Sequence, residues 1–471
     1  MSFYRTPSAL PRRFRLVLAS FLQRPGLPFA NAITEDSIQS AFDDEDVCFA
    51  DDEDAVYTPA MTLWAFLSQA IFKDSCVAAV ARVVVLLVAL EREPCSGNTG
   101  AYCRARAKLS EPVLRRLTVE VADGCERQVK ADWLWHGRHV YLVDGTTVSM
   151  PDTEANQASY PQPPQQAEGL GFPIARMVIL LSLATAMVAD MTMGPYTGKE
   201  TGETALLRQL LDRFEPGAIL LADRYFCSYF MIALLIQRDV DFVTRVHQRR
   251  PVDFRRGRRL GKNDHLVEWK RPAKPTWMDQ ATYEQMPESI RVREIQVHVD
   301  QPGFRTDSFV VVTTLTDDGE YTQDDIAELY HYRWMAELDI GAIKVTMGMD
   351  ILRCKTPPMV RKEVWTCLLA YNLIRRTLLQ SARESNRSPR TLSFSAAMQV
   401  IGSSWHVMVL SSNAVAERLV MADLENMAGH IVGNRPGRVE PRAVKRRPKP
   451  HDLLTQPREQ ARAQLMGVGP S

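Results

Sequence analysis

The sequence predicts an α/β fold: a mixed or parallel sheet covered by helices, with a helical N-terminal region before it and a β-rich insertion within it. Three observations carry that reading. Apolar residues recur at three- and four-residue spacing through Leu63–Leu67, Ala70–Ile71 and Val77–Leu90, which is the period of helices. Between His139 and His247, strand-like apolar runs alternate with helix-like ones. Residues 248–320 then become Pro-rich and charged, with strand-like segments at Arg291–Asp300 and Ser308–Leu315.

Taken in order, Gly97, Asn98 and Gly100 break the first helical stretch. A second, Ala101–Leu117, carries Arg104, Arg106, Lys108, Arg115 and Arg116. It reads either as a small DNA-reading unit or as an amphipathic helix with a basic outer face. His139–Met150 and Met177–Met193 lean to strand, and Glu203–Phe214 to helix. Gly217–Phe226 is a short buried-type strand that runs into Asp223, Met231–Gln237 is an apolar helix, and Asp241–His247 is a further strand. Helices are expected from Asp324 to about Met349 and over Val360–Gln380, with a Pro- and Arg-rich, extended end after about residue 430. No internal repeat is visible.

Composition narrows the function. The chain has 471 residues, 45% of them hydrophobic, enough for a substantial core. A formal net charge of +1 argues against binding nucleic acid by bulk charge, but not against a local basic groove. The charge is unevenly spread: eight acids sit in Asp43–Asp54, while residues 245–274 hold 11 basic and 3 acidic side chains and residues 435–451 hold 7 and 1. Such blocks are commonly solvated surface, and basic ones are also what phosphate-binding segments look like. The eight Cys show neither disulfide-scaffold nor zinc-knuckle spacing and read as free thiols in a reducing compartment. Met1–Arg24 does not read as a secretory signal. The runs Val83–Leu90 and Met177–Ala189 fall short of the ~20 residues that span a bilayer. A cytoplasmic protein with no membrane segment is expected.

Three acids stand out by position. Asp144 follows an apolar strand in V-D-G-T-T, Asp223 follows another in L-L-A-D-R-Y, and Glu337 sits in a helix in R-W-M-A-E. Acids at the ends of buried strands are costly unless paired or bound to a cation, and strand ends are where open α/β sheets bind ligands. Converging on hard divalent cations, such a set suits phosphodiester chemistry. For any single Asp, a turn or helix cap is the competing reading. On one ideal helix with Tyr330 at 0°, Arg333 falls at about 300°, Glu337 at about 340° and Lys344 at about 320°. That is one stripe of phenol, guanidinium, carboxylate and ammonium, apt for a metal-bound phosphate. An Arg–Glu surface pair at i,i+4 is the plainer alternative. Gly194-x-x-x-Gly198-Lys199-Glu200 has the wrong spacing for a phosphate loop, and Glu200 stands where Ser or Thr should hold Mg²⁺. His331 points away from the stripe, and Cys227 lacks a base nearby in sequence.

Tyr330-x2-Arg333-x3-Glu337-x6-Lys344 resembles the YREK motif of bacterial insertion-sequence DDE transposases of the IS-four family. D-G-T-T-V-S-M-P-D-T (144–153), A-D-R-Y-F (222–226), L-R-C-K-T-P-P-M-V-R-K-E (352–363) and A-Y-N-L-I-R (370–375) are similar to the same family, over roughly residues 60–450. The resemblance implies a ribonuclease H-like catalytic core with an all-β insertion and a helical N-terminal domain. The gaps of 79 and 114 residues between the acids fit it, the second being long enough to hold the insertion. It also implies that Asp144, Asp223 and Glu337 bind two Mg²⁺ or Mn²⁺ ions, and that Tyr330, Arg333 and Lys344 hold DNA. Some family members pass through a hairpin with a flipped base that a Trp in the insertion supports. Trp269 is the first candidate for that role and Trp277 the second, with simple packing the commoner fate of either.

The domain layout that follows is 1–130 helical with possible DNA-end binding, 131–247 first part of the core, 248–320 insertion, 321–385 catalytic helix and rest of the core, and 386–471 C-terminal helices and basic tail. The implied activity is cleavage and joining of DNA ends, of cut-and-paste type. The partners are double-stranded DNA at terminal inverted repeats, target DNA, and a second copy of the chain. Two other readings compete: an inactive DNA-binding relative, and a glycoside hydrolase using Asp144 and Glu337, which leaves the basic stripe unexplained.

Overall fold

The computed structural model describes residues 40–41, 55–89, 91–298, 308–411, 413–433 and 453–466. The acidic block Asp43–Asp54, the segment Met1–Arg24 and the basic block 435–451 lie outside the described residues.

Four helices come first: α1 (Pro59–Phe72), α2 (Cys76–Ala89), α3 (Gly100–Lys108) and α4 (Glu111–Glu126). Thr58 caps α1, its hydroxyl accepting the Met61 N–H at 3.2 Å, and Pro59 takes the first turn, where a missing N–H costs nothing. The stretch read as one helix from Ala101 to Leu117 is two, because Pro112 cannot continue a helix from Leu109 and instead starts α4. Of its basic residues Arg104, Lys108 and Arg115 are exposed, and Arg106 turns inward. Arg106 donates to the Gln69 side chain and lies over Phe66, Arg115 reaches the buried Asp190, and Arg116 pairs with Glu120.

The sheet begins with β1 (Val140–Ser149), followed by a short helix α5 (Glu154–Ser159) and the hairpin β2 (Ile174–Ser182) and β3 (Val188–Pro195). Helix α6 (Glu203–Arg208) leads to β4 (Ile219–Ala222), α7 (Tyr229–Ile236) and β5 (Asp241–Arg245). Then come β6 (Arg258–Gly261), β7 (Asp264–Lys270), a short helix α8 (Gln280–Gln285), β8 (Ser289–His298) and β9 (Ser308–Thr313). All nine strands form one sheet in the order β3-β2-β1-β4-β5-β9-β8-β7-β6. β1, β4 and β5 are parallel, and the other neighbouring pairs are antiparallel.

Two features differ from the all-β insertion read from the sequence. Residues 248–320 include α8, capped where the Asp279 carboxylate accepts the Thr282 N–H at 2.8 Å. Their strands also continue the main sheet, with β9 laid antiparallel on β5 so that Thr244 faces Val312. Pairing satisfies the backbone edge that β5 would otherwise expose. The outer edge falls to β6, where exposed Arg258 and Arg259 discourage further pairing.

After the sheet come α9 (Gln323–His331), α10 (Trp334–Gly341) with a π-helical turn at Ala342–Thr346, the long α11 (Pro357–Glu384), α12 (Phe394–Leu410), α13 (Asn413–Gly429) and α14 (Arg458–Leu465). Alternate residues of the strands feed two cores. Leu142, Ile179, Ile219 and Leu221 pack with α1–α4 and α11, while Val143, Val178, Leu180 and Leu220 pack with α6 and α7. No helix among the described residues is long and apolar enough to cross a membrane.

Buried polar side chains join these layers. Asn372 of α11 accepts the Val188 N–H at 2.8 Å and donates to the carbonyls of Val188 at 2.9 Å and Thr118 at 3.0 Å, linking α11, β3 and α4. Asp190 of β3 is fully buried and accepts from Arg115 at 2.6 Å, with the Arg213 guanidinium 3.9 Å away. Replacing Asn372 by Leu strands three backbone groups and is expected to cost on the order of 1–3 kcal/mol, read as a lower urea midpoint with unchanged slope.

Candidate active site

β1 and β4 run parallel with Val143 opposite Ala222. The next residue after each is an acid: Asp223 lies just past the end of β4, at the carboxyl edge where such folds bind ligands, while Asp144, expected at a strand end, lies inside β1, which continues to Ser149 paired with β2. The Asp144 carboxylate accepts its neighbour's N–H from Gly145 at 2.8 Å, and that of Asp223 accepts the Arg224 N–H at 2.6 Å. The Thr244 hydroxyl, one strand over, donates to the Asp223 backbone carbonyl at 3.0 Å. Neither acid has an ion pair among the described residues. Burial pushes Asp144 up to about 6; Arg333 and the Gly145 N–H draw it down, and Glu337 and Asp223 push it up. Those influences mark the residues gathered around it.

Glu337 comes from α10, which packs on β1. Its Oε1 accepts from Arg333 Nη2 at 2.7 Å. The Glu337 side chain is 39% exposed and that of Arg333 19%, so the carboxylate stays reachable while the guanidinium is mostly enclosed. Tyr330 is buried, its ring 5.1 Å from that of Phe309, and burial pushes its phenol well up. Lys344 is half-buried in the π-helical turn.

The single ideal helix assumed for the Tyr–Arg–Glu–Lys stripe is corrected. α9 ends at His331, the chain turns through Tyr332 and Arg333, and α10 starts at Trp334. Lys344 then sits in a π turn, which takes up more residues than an α turn. The stripe's angular arithmetic therefore does not hold across its length, although Arg333 and Glu337 still pair at i,i+4.

What holds α10 is an acid the sequence reading missed. Asp339 is buried and accepts from Arg375 at 2.8 Å and Arg390 at 2.7 Å. Arg375 also donates to the Tyr371 hydroxyl at 2.8 Å, and Tyr371 to the Ala186 carbonyl at 3.0 Å. The A-Y-N-L-I-R segment (370–375) thus serves as the mount of the Glu337 helix. At the other end of the motif, the Ser149 N–H donates to the Asp350 carbonyl at 3.1 Å and the Leu352 N–H to the Ser149 carbonyl at 2.8 Å, tying the loop to β1. Glu363 then accepts the N–H groups of Arg353 and Cys354.

Trp269 does not join this group. It is 3% exposed in β7, its indole N–H donates to Glu294 at 2.9 Å, and the Arg250 guanidinium lies 3.6 Å from its ring centre. No face of that ring is open to a base in this conformation. Trp277 is likewise covered, by Arg208 at 3.8 Å. Burial pushes the Cys227 thiol up to about 11, which removes it as a nucleophile.

Among the described residues, no three His, Cys, Asp or Glu side chains are already drawn together as a metal cage. The Arg333 contact accounts for part of this, since it turns Glu337 toward a guanidinium. The donor chemistry still fits a hard divalent ion: carboxylate oxygens, two of them from half-buried acids without an ion pair among the described residues. A second acid missed from the sequence, Glu203 of α6, lies against Gly145, where a Cβ would come within 2.3 Å of its carboxyl carbon. Burial pushes Glu203 up, while Arg176 draws it down.

Residues 135–373, just over half of the chain, match the family described as the transposase DDE domain. The transposase InsG of insertion sequence element IS4 from Escherichia coli (strain K12) is 26% identical over 363 residues, spanning 74% of this chain and 76% of that protein. The putative transposase InsZ of the same organism is 27% identical over 141 residues, or 29% of this chain and 46% of that protein. The solved piggyBac transposase synaptic complex with hairpin DNA aligns with a TM-score of 0.43 at 10% identity, over 90% of this chain and 86% of that one.

Two outcomes are expected. Asp144 titrates from 3.8 when unfolded to about 6 when folded, so its charge costs the fold nothing below pH 3.8, increasingly up to about 6, and fully above that. Asp144→Asn should therefore stabilise the metal-free protein by about 3 kcal/mol at most at pH 7.5 and not at pH 4, read as melting temperature in EDTA. Asp339→Ala leaves Arg375 buried without its acid and should cost about 3–5 kcal/mol in urea unfolding.

Proposed function

The chain belongs to the transposase DDE-domain family and is a DNA transposase of the IS4 type, and from that premise we propose that Asp144, Asp223 and Glu337 are the acids of its catalytic centre. The observation that carries this reading is the parallel β1–β4 register, which sets two acids one residue beyond Val143 and Ala222, with the Glu337 helix packed on β1. A ribonuclease H-like core is supported by the strand order β3-β2-β1-β4-β5, with β1, β4 and β5 parallel and β2 antiparallel to β1. An enzyme of this family needs neither a sugar substrate nor an inactive role to explain its acids.

The family's chemistry uses divalent metal ions, and we take these to be Mg²⁺ or Mn²⁺, two to a site. When bound, they activate the attacking oxygen and stabilise the leaving oxygen of a phosphodiester. The chain's own residues do the rest. Backbone N–H groups of Gly145 and Arg224 hold the carboxylates of Asp144 and Asp223 in position. Arg333 is shared: it neutralises Glu337 in the free protein, and a DNA phosphate competes for the same guanidinium, which releases the carboxylate toward the ions. Lys344 supplies a second cation for the strand. Tyr330 packs inward beneath Arg333 and acts through that packing. The partners are duplex DNA at terminal inverted repeats and at the target, engaged by a homodimer in the cytoplasm.

Asp144→Ala, Asp223→Ala and Glu337→Ala should each abolish Mg²⁺-dependent cleavage of a terminal-repeat duplex while still shifting it on a gel. Retained cleavage in Glu337→Ala would sink the assignment of that residue. End binding should weaken steeply between about 50 and 200 mM salt despite the neutral chain. Flat salt dependence would count against phosphate contacts by the exposed arginines.

A further inference from the structure

We propose that the pocket between the end of α4 and the second half of α11 binds a phosphate of the DNA backbone, as a contact separate from the catalytic centre. The inference rests on the reading of the chain as a DNA-binding transposase and not on the assignment of its three acids.

The pocket has a volume of about 480 Å³, and Lys130, Arg376 and Arg383 line it. None of these cations has an ion pair among the described residues, and the hydrogen bonds they make go to neutral groups. Lys130 donates to the Asn386 amide oxygen at 3.2 Å and lies over the Trp133 ring, and Arg383 donates to the Gln128 amide oxygen at 2.7 Å. An amide satisfies a donor and leaves the charge standing. Glu384 is the one acid on the pocket wall; it is exposed, and its carboxylate accepts from the Gln380 amide at 3.0 Å.

Arg376 is the second observation. It is half-buried, with neither an acid nor a hydrogen-bond partner among the described residues, yet none of its nitrogens is sealed from solvent. Burial draws its guanidinium below the ordinary value, and the opposing influence comes from the Cys125 thiol, itself pushed by burial up to about 12 and so neutral at pH 7. Its neighbour Arg375 shows what a structural arginine does here, reaching Asp339 at 2.8 Å. An enclosed cation without a counter-charge is costly until an anion joins it. Two guanidiniums and an ammonium around one pocket suit the oxygens of a phosphate.

Glu126, next to Cys125, pairs with His139 just before β1 starts, whereas Asp223 follows the far end of the parallel strand β4. A phosphate held in the pocket is therefore not the one being cut. It belongs to duplex outside the reaction, where a backbone contact adds affinity without reading bases.

Duplex binding by the full chain across a salt series tests this. Arg376→Gln should weaken binding to a terminal-repeat duplex and to an unrelated duplex alike, and should lower the slope of log Kd against log salt by about 1. Arg383→Glu, on the exposed rim, should act in the same direction. Mg²⁺-dependent cleavage at saturating duplex should keep the parent's rate, and Arg376→Gln should not lower the melting temperature. If both variants keep the parent's slope, the pocket holds no DNA and the proposal is overturned. It is overturned too if inorganic phosphate raises the melting temperature of the parent but not of Arg376→Gln while the slopes agree, because the pocket then takes free phosphate. Should Arg376→Gln not fold, Arg383→Glu decides alone. A parent that fails to bind the terminal-repeat duplex defeats the DNA reading itself, and the pocket's role with it.

Discussion

A buried carboxylate, Asp339, fixes the relation between the sheet and the helix that brings Glu337 to it. Left alone in such surroundings its charge would cost several kcal/mol. Here it is shared between two guanidiniums from different parts of the chain, Arg375 of α11 and Arg390 just beyond it. Arg390 also donates to the carbonyls of Ser182 and Leu183 at 2.7 and 2.6 Å, where β2 turns toward β3. The carbonyl of Ala186 in the same turn receives Tyr371, which in turn receives Arg375. The Glu337 helix, the long helix and the hairpin therefore meet at one charge. Glu337 lies two residues away on α10, so its direction follows from a contact that makes no contribution to chemistry itself.

Two kinds stand out among the enclosed acids. Asp190, Asp264 and Asp339 are buried with a guanidinium each and hold elements together. Asp144 and Asp223 have no ion pair among the described residues and stand side by side where β1 and β4 run parallel. Glu337 falls between the kinds, paired with Arg333 yet still reachable from solvent. A fold that pairs its structural charges and leaves a few unpaired at one edge keeps that edge poised for a cation. Burial, with a smaller push from Glu337 and Asp223, raises Asp144 to about 6 in the free site.

Much of this was legible in residue order. The apolar run into Asp223 marked a strand end, whereas Asp144 falls inside β1, and the helices expected from Asp324 to about Met349 and over Val360–Gln380 are present as α9, α10 and α11. Long-range pairing was not legible. Nothing local in Asp241–Arg245 says that its free edge is taken by Ser308–Thr313, more than sixty residues later. Trp269 was a candidate only because the resemblance calls for a Trp in the insertion. Asp264 and His265 are buried there through pairing with Arg293 and Glu294, and the tryptophan is drawn inward with them. The break at Tyr332–Arg333 and the π turn at Lys344 carry no Pro or Gly to announce them beyond Gly341.

Charge is where the sequence count misleads most. A net of +1 sums 57 basic and 56 acidic side chains as if each faced water. In the folded chain, Arg115, Arg138, Arg213, Arg293, Arg375 and Arg390 are committed to acids inside or between layers. Those pairs cancel locally and are invisible to a phosphate a few ångströms outside. What a DNA strand meets is the remainder, and along the insertion that remainder is positive. Arg255 and Arg256 are 91% and 84% exposed and share a single acid, Asp253, while Arg258 and Arg259 line the open edge of β6. Exposed pairs of that kind are weak and readily exchanged for a phosphate. The two observations describe one design: a chain can be neutral overall and still present a cationic edge, provided its acids are used up in building the fold and its catalytic centre.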